Sequence, residues 1–365
     1  MVVKGWRMYS TSVGLTPVYS LGFCAGIVLG WQLVSGWMLG TVYSADMEGM
    51  AGTFGVVDSN MRELSGGWEV RVLHAMGATV FMAVVYGHMV RSLYFKSTST
   101  SPKVWVIGVV IYILLCATCF TGYSLVGGQM SLWAIVVICS LLTSIPVIGE
   151  KLLVWVWGGT VVSGHTVSRF YSLHYTLPMV ITGIVILHLL VLHDTNSTGE
   201  RAPIVRWTDG NSLYPMLMVR DVAVGSAIVI LLVTGGNLIG DTFGHADNYV
   251  QGTLLVTPAH ICPEWYFLPF YGVLRSVPSK PVGVILLVIA ILSLLNASTV
   301  TRTGVSTSYT RPSERTNLWT WTVDYAILSY ACMLVNDLEP AYTLLIAATI
   351  GTLATTLPGP EQGQH

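Results

Sequence analysis

Four histidines set the chemistry to be explained. His74 and His88 stand fourteen residues apart, and so do His174 and His188. Both pairs lie in apolar runs, "RVLHAMGA" with "YGHMVRSLYF" and "SLHYTLP" with "LHLLVLHD". A ring nitrogen without a partner in hydrocarbon costs kilocalories, so each needs a reason to be there. Fourteen residues of helix rise about 21 Å and fall about 40° short of four turns. The two rings of a pair therefore share one face, one ring toward each side of a bilayer. One apolar span separates the two pairs, so their helices run parallel, with His74 level with His174 and His88 with His188. Facing imidazoles at two levels suit two stacked six-coordinate haems. A single such histidine reads as a packing residue or a proton relay; the repeated interval favours ligation.

The glycines repeat the interval. Gly22 and Gly36 are fourteen apart, as are Gly108 and Gly122. They lie on the spans before and after the His74 span, where a haem edge needs the backbone close by. The alternative is ordinary helix packing, since the chain has 37 glycines. Arg71 and Arg91 flank the first histidine pair, where haem propionates would need cations. Either arginine could instead snorkel to headgroups.

These residues need membrane helices to hold them. Of 365 residues, 53% are hydrophobic and only 10% charged, against about 25% charged in a soluble domain. This composition implies an all-α integral membrane protein and excludes a water-exposed surface. A net charge of −1 leaves no basic field for nucleic acid. Cys24, Cys116, Cys119, Cys139, Cys262 and Cys332 sit mostly in apolar runs and read as packing thiols. The Cys116/Cys119 pair is mid-span with no second pair, a weak redox or metal motif. The N-terminus, "MVVKGWRMYSTSVGLTP", reads as neither a secretory signal nor a transit peptide.

Eight apolar runs are long enough to span, or nearly so: 18–40, 68–94, 104–125, 167–193, 219–239, 281–297, 319–335 and 341–357. The apolar segments 127–159 and 240–280 between spans read as short interfacial helices that cover something. With eight alternating spans, eleven of the 17 Lys and Arg fall on the side of the termini and six on the other. That bias predicts both termini on the matrix or cytoplasmic face.

These residues, with "TGYSLVGGQMSLW", "VWVWGG" and "PEWYFLPFYGVLRSVPSK", resemble cytochrome b of respiratory complex III, from about Gly22 to Leu357. Pro263-Glu264-Trp265-Tyr266, before the sixth span and beside paired histidines, is the most specific element. It points to the mitochondrial and related bacterial branch. The resemblance implies a haem-binding four-helix bundle over residues 1–195 and a C-terminal membrane domain over 196–365. It implies two haem b, a low-potential one at His74 and His174 and a high-potential one at His88 and His188. Gln32 is placed among the haem contacts. The implied activity is quinol–cytochrome c reductase. Ubiquinol is oxidised at an outer site, one electron crosses through the b haems, and ubiquinone is reduced at an inner site, with proton translocation. Implied partners are the Rieske iron–sulfur subunit, a c-type cytochrome, further complex III subunits and lipid, in a homodimeric complex. The implied location is the mitochondrial inner membrane, with a bacterial plasma membrane as the alternative.

Residue by residue, Glu264 matches the quinol-facing acid at the outer site; its alternative role is capping the helix that follows. Tyr271 and Phe267 match pocket residues, and Tyr123 approaches from the third span. At the inner site His193 and Asp221 match quinone-contacting groups, although His193 also reads as an interfacial histidine. Where the family has Pro-Trp after span three, this chain has Val126-Gly127, which predicts a wider or less rigid outer pocket. The connection 195–215 between the fourth and fifth spans departs from the usual pattern. A different di-haem membrane cytochrome shares the histidines but has no use for the PEWY loop. A histidine-relay transporter has no use for the matched glycines.

Overall fold

In the computed structural model the described residues are 10–12, 15–45, 50–95, 97–195, 210–296, 312–334 and 345–352. The long helices are α1 (Leu21–Gly40), α3 (Gly67–Tyr94), α4 (Pro102–Ser124), α7 (Gly164–Thr195) and α8 (Met218–Ile239). With their flanking turns, these are, among the described residues, the five helices long and apolar enough to cross a membrane. They match the first five expected spans. Apolar runs become helices here because intrahelical bonds satisfy every backbone group in a medium that offers no water. Pro178 sits inside α7, which membrane helices tolerate. The sixth span is the shorter α10 (Lys280–Asn296), and the seventh falls on α11 (Pro312–Leu334), with residue 335 outside the described residues. Of the eighth, helix is described over 345–352 and the rest of 341–357 lies outside the described residues.

The first four spans pack as two pairs, α1 with α3 and α4 with α7, and α1 touches α7 only lightly. Each pair thus carries one histidine helix and one glycine helix, and the histidines face each other between the pairs. Helix α8 packs against α3 and α1. The apolar segments 127–159 and 240–280 form short helices, and a further helix that was not expected stands at Met50–Glu63. Helices α2 (Met50–Glu63), α5 (Gln129–Ser140) and α6 (Gly149–Trp157) close the end of the bundle that carries His74 and His174, here called the outer end, over a small core that includes Met50, Leu132, Ile135 and Phe170. In the other connection, α9 (Leu268–Arg275) packs against α10 and α11. One detail departs from an all-helical reading. Two three-residue strands, β1 (Ser10–Ser12) and β2 (Gly210–Ser212), pair antiparallel at the inner end.

Candidate functional site: paired histidines and the PEWY turn

At the outer level the His74 and His174 rings stand with centroids 6.2 Å apart and planes at 85°. A metal–imidazole bond of about 2 Å on each side, plus roughly 1 Å from nitrogen to centroid, adds up to about 6 Å. The spacing therefore fits one iron between two axial imidazoles. The far nitrogens are held from behind. Ser35 Oγ donates to the Trp31 carbonyl at 2.8 Å, leaving its lone pair to accept from His74 Nδ1 at 2.8 Å. His174 Nδ1 donates to the Thr118 carbonyl at 2.8 Å. Both rings then present Nε2 as the lone-pair donor, as a ligating histidine must.

At the inner level His88 and His188 are near enough to act on each other electrostatically. Neither Nδ1 completes a hydrogen bond, and that of His188 is turned toward the Val104 backbone. Among the described residues no group of three or more His, Cys, Asp or Glu could hold a bare metal ion. Two imidazoles instead suit a macrocycle that brings its own equatorial donors.

The glycines have a sharper role than clearance for a haem edge: each backs one histidine ring. A methyl group on Gly36 would lie 3.1 Å from His74 Cε1, and one on Gly22 would lie 3.2 Å from His88 Cε1. On Gly108 it would lie 3.4 Å from His188 Cε1, and on Gly122 it would overlap the His174 ring. The shared interval arises because α1 runs antiparallel to α3, and α4 to α7, so each pair meets at both levels. Gln32 reaches the same helix, its Nε2 donating to the His74 carbonyl at 3.0 Å. Arg91 lies over the Tyr19 ring, 3.7 Å from its centroid. Arg71 stands within electrostatic reach of Tyr123 and Tyr249.

Known proteins match this arrangement. Residues 7–196 match the family model "Cytochrome b/b6/petB", and 251–354 match "Cytochrome b(C-terminal)/b6/petD". The chain belongs to the cytochrome b family. It is 38% identical over 331 residues to cytochrome b of Rickettsia prowazekii, covering 90% of this chain and 82% of that one. It is 40% identical over 314 residues to cytochrome b of Dictyostelium discoideum, covering 86% and 80%. The rice protein is 39% identical over 324 residues, covering 88% and 80%. A chain of a solved structure titled "Hyperthermophilic respiratory Complex III" superposes with a TM-score of 0.90 at 25% identity, covering 97% of this chain and 94% of that one.

The turn that marks this family lies at the outer end. Glu264 begins the 3-10 turn Trp265–Phe267 without a side-chain capping bond, so the structure gives no support to the capping alternative. Burial pushes its carboxyl up to about 7. Cys119 and Tyr123 from α4, with Cys262 and Tyr266 from its own segment, lie within its electrostatic reach. Phe267 packs on Tyr266 with centroids 4.7 Å apart. Tyr271 faces the Arg275 guanidinium 5.5 Å from its ring centroid. Cys262 lies near both Glu264 and Tyr271.

The Val126-Gly127 departure is tied down rather than loose. Tyr43 donates to the Leu125 carbonyl at 3.1 Å, Gln129 N to Val250 O at 2.8 Å, and Gly252 N to Gly127 O at 2.9 Å. Asn248 Oδ1 accepts from Ser131 N at 2.9 Å and Ser131 Oγ at 3.0 Å. Gly127 adopts φ +76°, and a methyl group there would lie 2.6 Å from Phe54 N. Glycine is required by both conformation and space. These backbone bonds and the close approach at Gly127 hold the segment for which a wider or less rigid pocket was expected.

At the inner end Asp221 accepts from Ser20 Oγ at 2.6 Å, and His193 is exposed near the end of α7. The described contacts do not join the two. Sequence reasoning missed Ser35, Thr118 and Asn248. Only Ser35 left a signal, as a hydroxyl in an apolar run; Thr118 acts through its carbonyl, which any residue has.

Proposed function

We propose that this chain is the core electron-transfer subunit of a complex III, oxidising quinol at the outer end and reducing quinone at the inner end. The observation that carries it is the pair of histidine levels, each ring backed by its own glycine, in a chain of the cytochrome b family. Two b-type haems held at these levels would supply one-electron carriers in series across the low-dielectric slab. His74 and His174 would hold one, and His88 and His188 the other. Arg71 and Arg91 stand at the matching ends as cationic partners for propionates.

The outer chemistry falls to the chain's own groups. A carboxyl raised to about 7 by burial is suited to take a proton from a quinol hydroxyl near neutral pH. Glu264 is that base in this reading, with Tyr123, Phe267 and Tyr271 bounding the pocket. At the inner end Asp221 and His193 are the groups proposed to deliver protons to quinone. Ubiquinone is the quinone proposed, and the Rieske iron–sulfur protein, a c-type cytochrome and a second copy of the assembly are the partners. Residues 1–195 form the haem unit and 196–365 the second membrane unit in this reading. The location proposed is the mitochondrial inner membrane with both termini on the matrix side, following the charge bias across the loops.

A reduced-minus-oxidised spectrum with a pyridine haemochrome count on the purified protein tests it. Two low-spin b haems per chain are expected. One or none would overturn the ligand pairing.

A further inference from the structure

The haem helices grip the PEWY turn through a run of hydroxyls. Tyr86 on α3 donates to the Tyr266 backbone carbonyl at 2.7 Å. Its oxygen stands 2.9 Å from that of Tyr112 on α4. A phenol has one proton to give. Tyr86 spends it on Tyr266, so Tyr112 must donate to Tyr86. The bonds therefore point one way, from α4 through α3 to the turn, and each polarises the next. The Tyr112 oxygen is left to accept, and the Cys116 thiol lies in hydrogen-bonding reach. The Tyr266 side chain is held as well, its hydroxyl bonding with Cys119. Ring contacts close the grip: Tyr86 with Trp265 at 6.0 Å and Tyr112 with Phe270 at 6.4 Å between centroids.

We infer that Tyr86 and Tyr112 are positioning residues for quinol oxidation, locking the 264–267 turn onto α3 and α4 so that Glu264 keeps its buried station. They touch neither the acid nor the quinol pocket proper; they act through the Tyr266 carbonyl, two residues along from Glu264. The inference rests on the reading of Glu264 as the proton acceptor. It also gives a use to Cys116 and Cys119, which the haem site leaves unexplained. They complete the hydroxyl run inside the membrane, where a phenol without a partner would be costly.

The test is made in the isolated complex, with a short-chain ubiquinol as substrate, on Tyr86→Phe, Tyr112→Phe and Glu264→Gln side by side. Removing the hydroxyl that holds the turn should lower kcat at pH 7 about five- to tenfold, as loss of about one hydrogen bond from the productive geometry. KM for quinol, haem content and reduced spectrum should stay unchanged. Loosening the turn admits water and relieves the burial that raises Glu264, so the limb of the pH profile carried by that acid should move to lower pH. The groups facing Glu264 there, Cys119 and Tyr123 from α4 and Cys262 and Tyr266 from its own segment, are all present in both phenylalanine variants. Tyr112→Phe should show the same shift at about two- to threefold, because the Tyr86 bond survives but loses its donor. A merely structural role would reduce the amount of assembled complex and leave the limb in place. Wild-type turnover and an unmoved limb in Tyr86→Phe, with Glu264→Gln impaired, overturns the inference alone. Wild-type behaviour in Glu264→Gln overturns the acid's role and the inference with it. If Tyr86→Phe does not assemble, Tyr112→Phe decides by the same limb: moved supports, unmoved overturns.

Discussion

The two histidine levels share a plan and differ in how firmly it is executed. At the outer level both far nitrogens are engaged, by Ser35 and by the Thr118 carbonyl. At the inner level neither completes a hydrogen bond. The backing glycines follow the same order. Those at 36 and 122 leave less room than those at 22 and 108. A hydrogen bond on the far nitrogen makes an imidazole a more basic ligand and fixes its orientation. More basic axial ligands favour oxidised iron. On the proposed reading the level at His74 and His174 would then hold the lower-potential haem and the level at His88 and His188 the higher. One spacing rule laid down the frame, and the neighbours of each ring distinguish its two ends.

The largest expected effect tests the frame itself. Gly122→Ala drives a methyl group into the His174 ring. It should abolish the proposed outer haem, giving one haem per chain by pyridine haemochrome where two are expected for the parent. Gly108→Ala, with its contact at 3.4 Å, should keep both. Equal loss in the two variants would erase the distinction between levels. Next comes Glu264, the proposed proton acceptor at the outer end. Glu264→Gln should cut quinol oxidation by about 10²-fold. Glu264 must be deprotonated to accept, and its carboxyl is raised to about 7. The parent rate should therefore rise with pH through about 7, and the variant's profile should be flat there. Steady-state rates from pH 5.5 to 8.5 decide this.

A smaller effect concerns the outer cap. Asn248→Ala removes the acceptor shared by Ser131 N and Oγ and should cost about 1–3 kcal/mol. Earlier proteolysis of the segment around residue 248, with unchanged haem spectra, is the expected sign. Smallest is Ser35→Ala, which frees the His74 far nitrogen. The outer haem potential should rise by a few tens of millivolts, a fraction of the 59 mV that marks a tenfold change for one electron. Ser35→Thr should restore it. A potentiometric titration in which the inner haem moves instead would reverse the assignment of levels.

Much of this was legible in the residues. Hydropathy gave the long helices because lipid permits little else, and a fixed interval of fourteen placed the paired histidines and glycines at shared levels because helix geometry is nearly rigid. What could not be read is what depends on the approach of separate segments. That each glycine backs an imidazole follows from how α1 meets α3 and how α4 meets α7, not from the interval. Thr118 acts through a carbonyl, which carries no sequence signal. Val126-Gly127 looked like a loss because the partners that fill the space, Met50–Phe54 and the segment around Asn248, lie far away in the chain. The inner quinone contacts stayed open for another reason: residues 196–209 lie outside the described residues, and Asp221 is engaged by Ser20.

The Gly127-Gly128 clasp bears on how this chain can change over generations. A side chain at Gly127 meets the backbone of Met50 and Phe54, and one at Gly128 meets Asn248. Backbone cannot step aside for a single substitution. A side chain at 127 therefore enters only if the 50–54 segment is exchanged with it, and one at 128 only if the Asn248 segment is exchanged. Residue 127 and segment 50–54 are thus coupled, and grafting either alone from a relative should fail where grafting both succeeds.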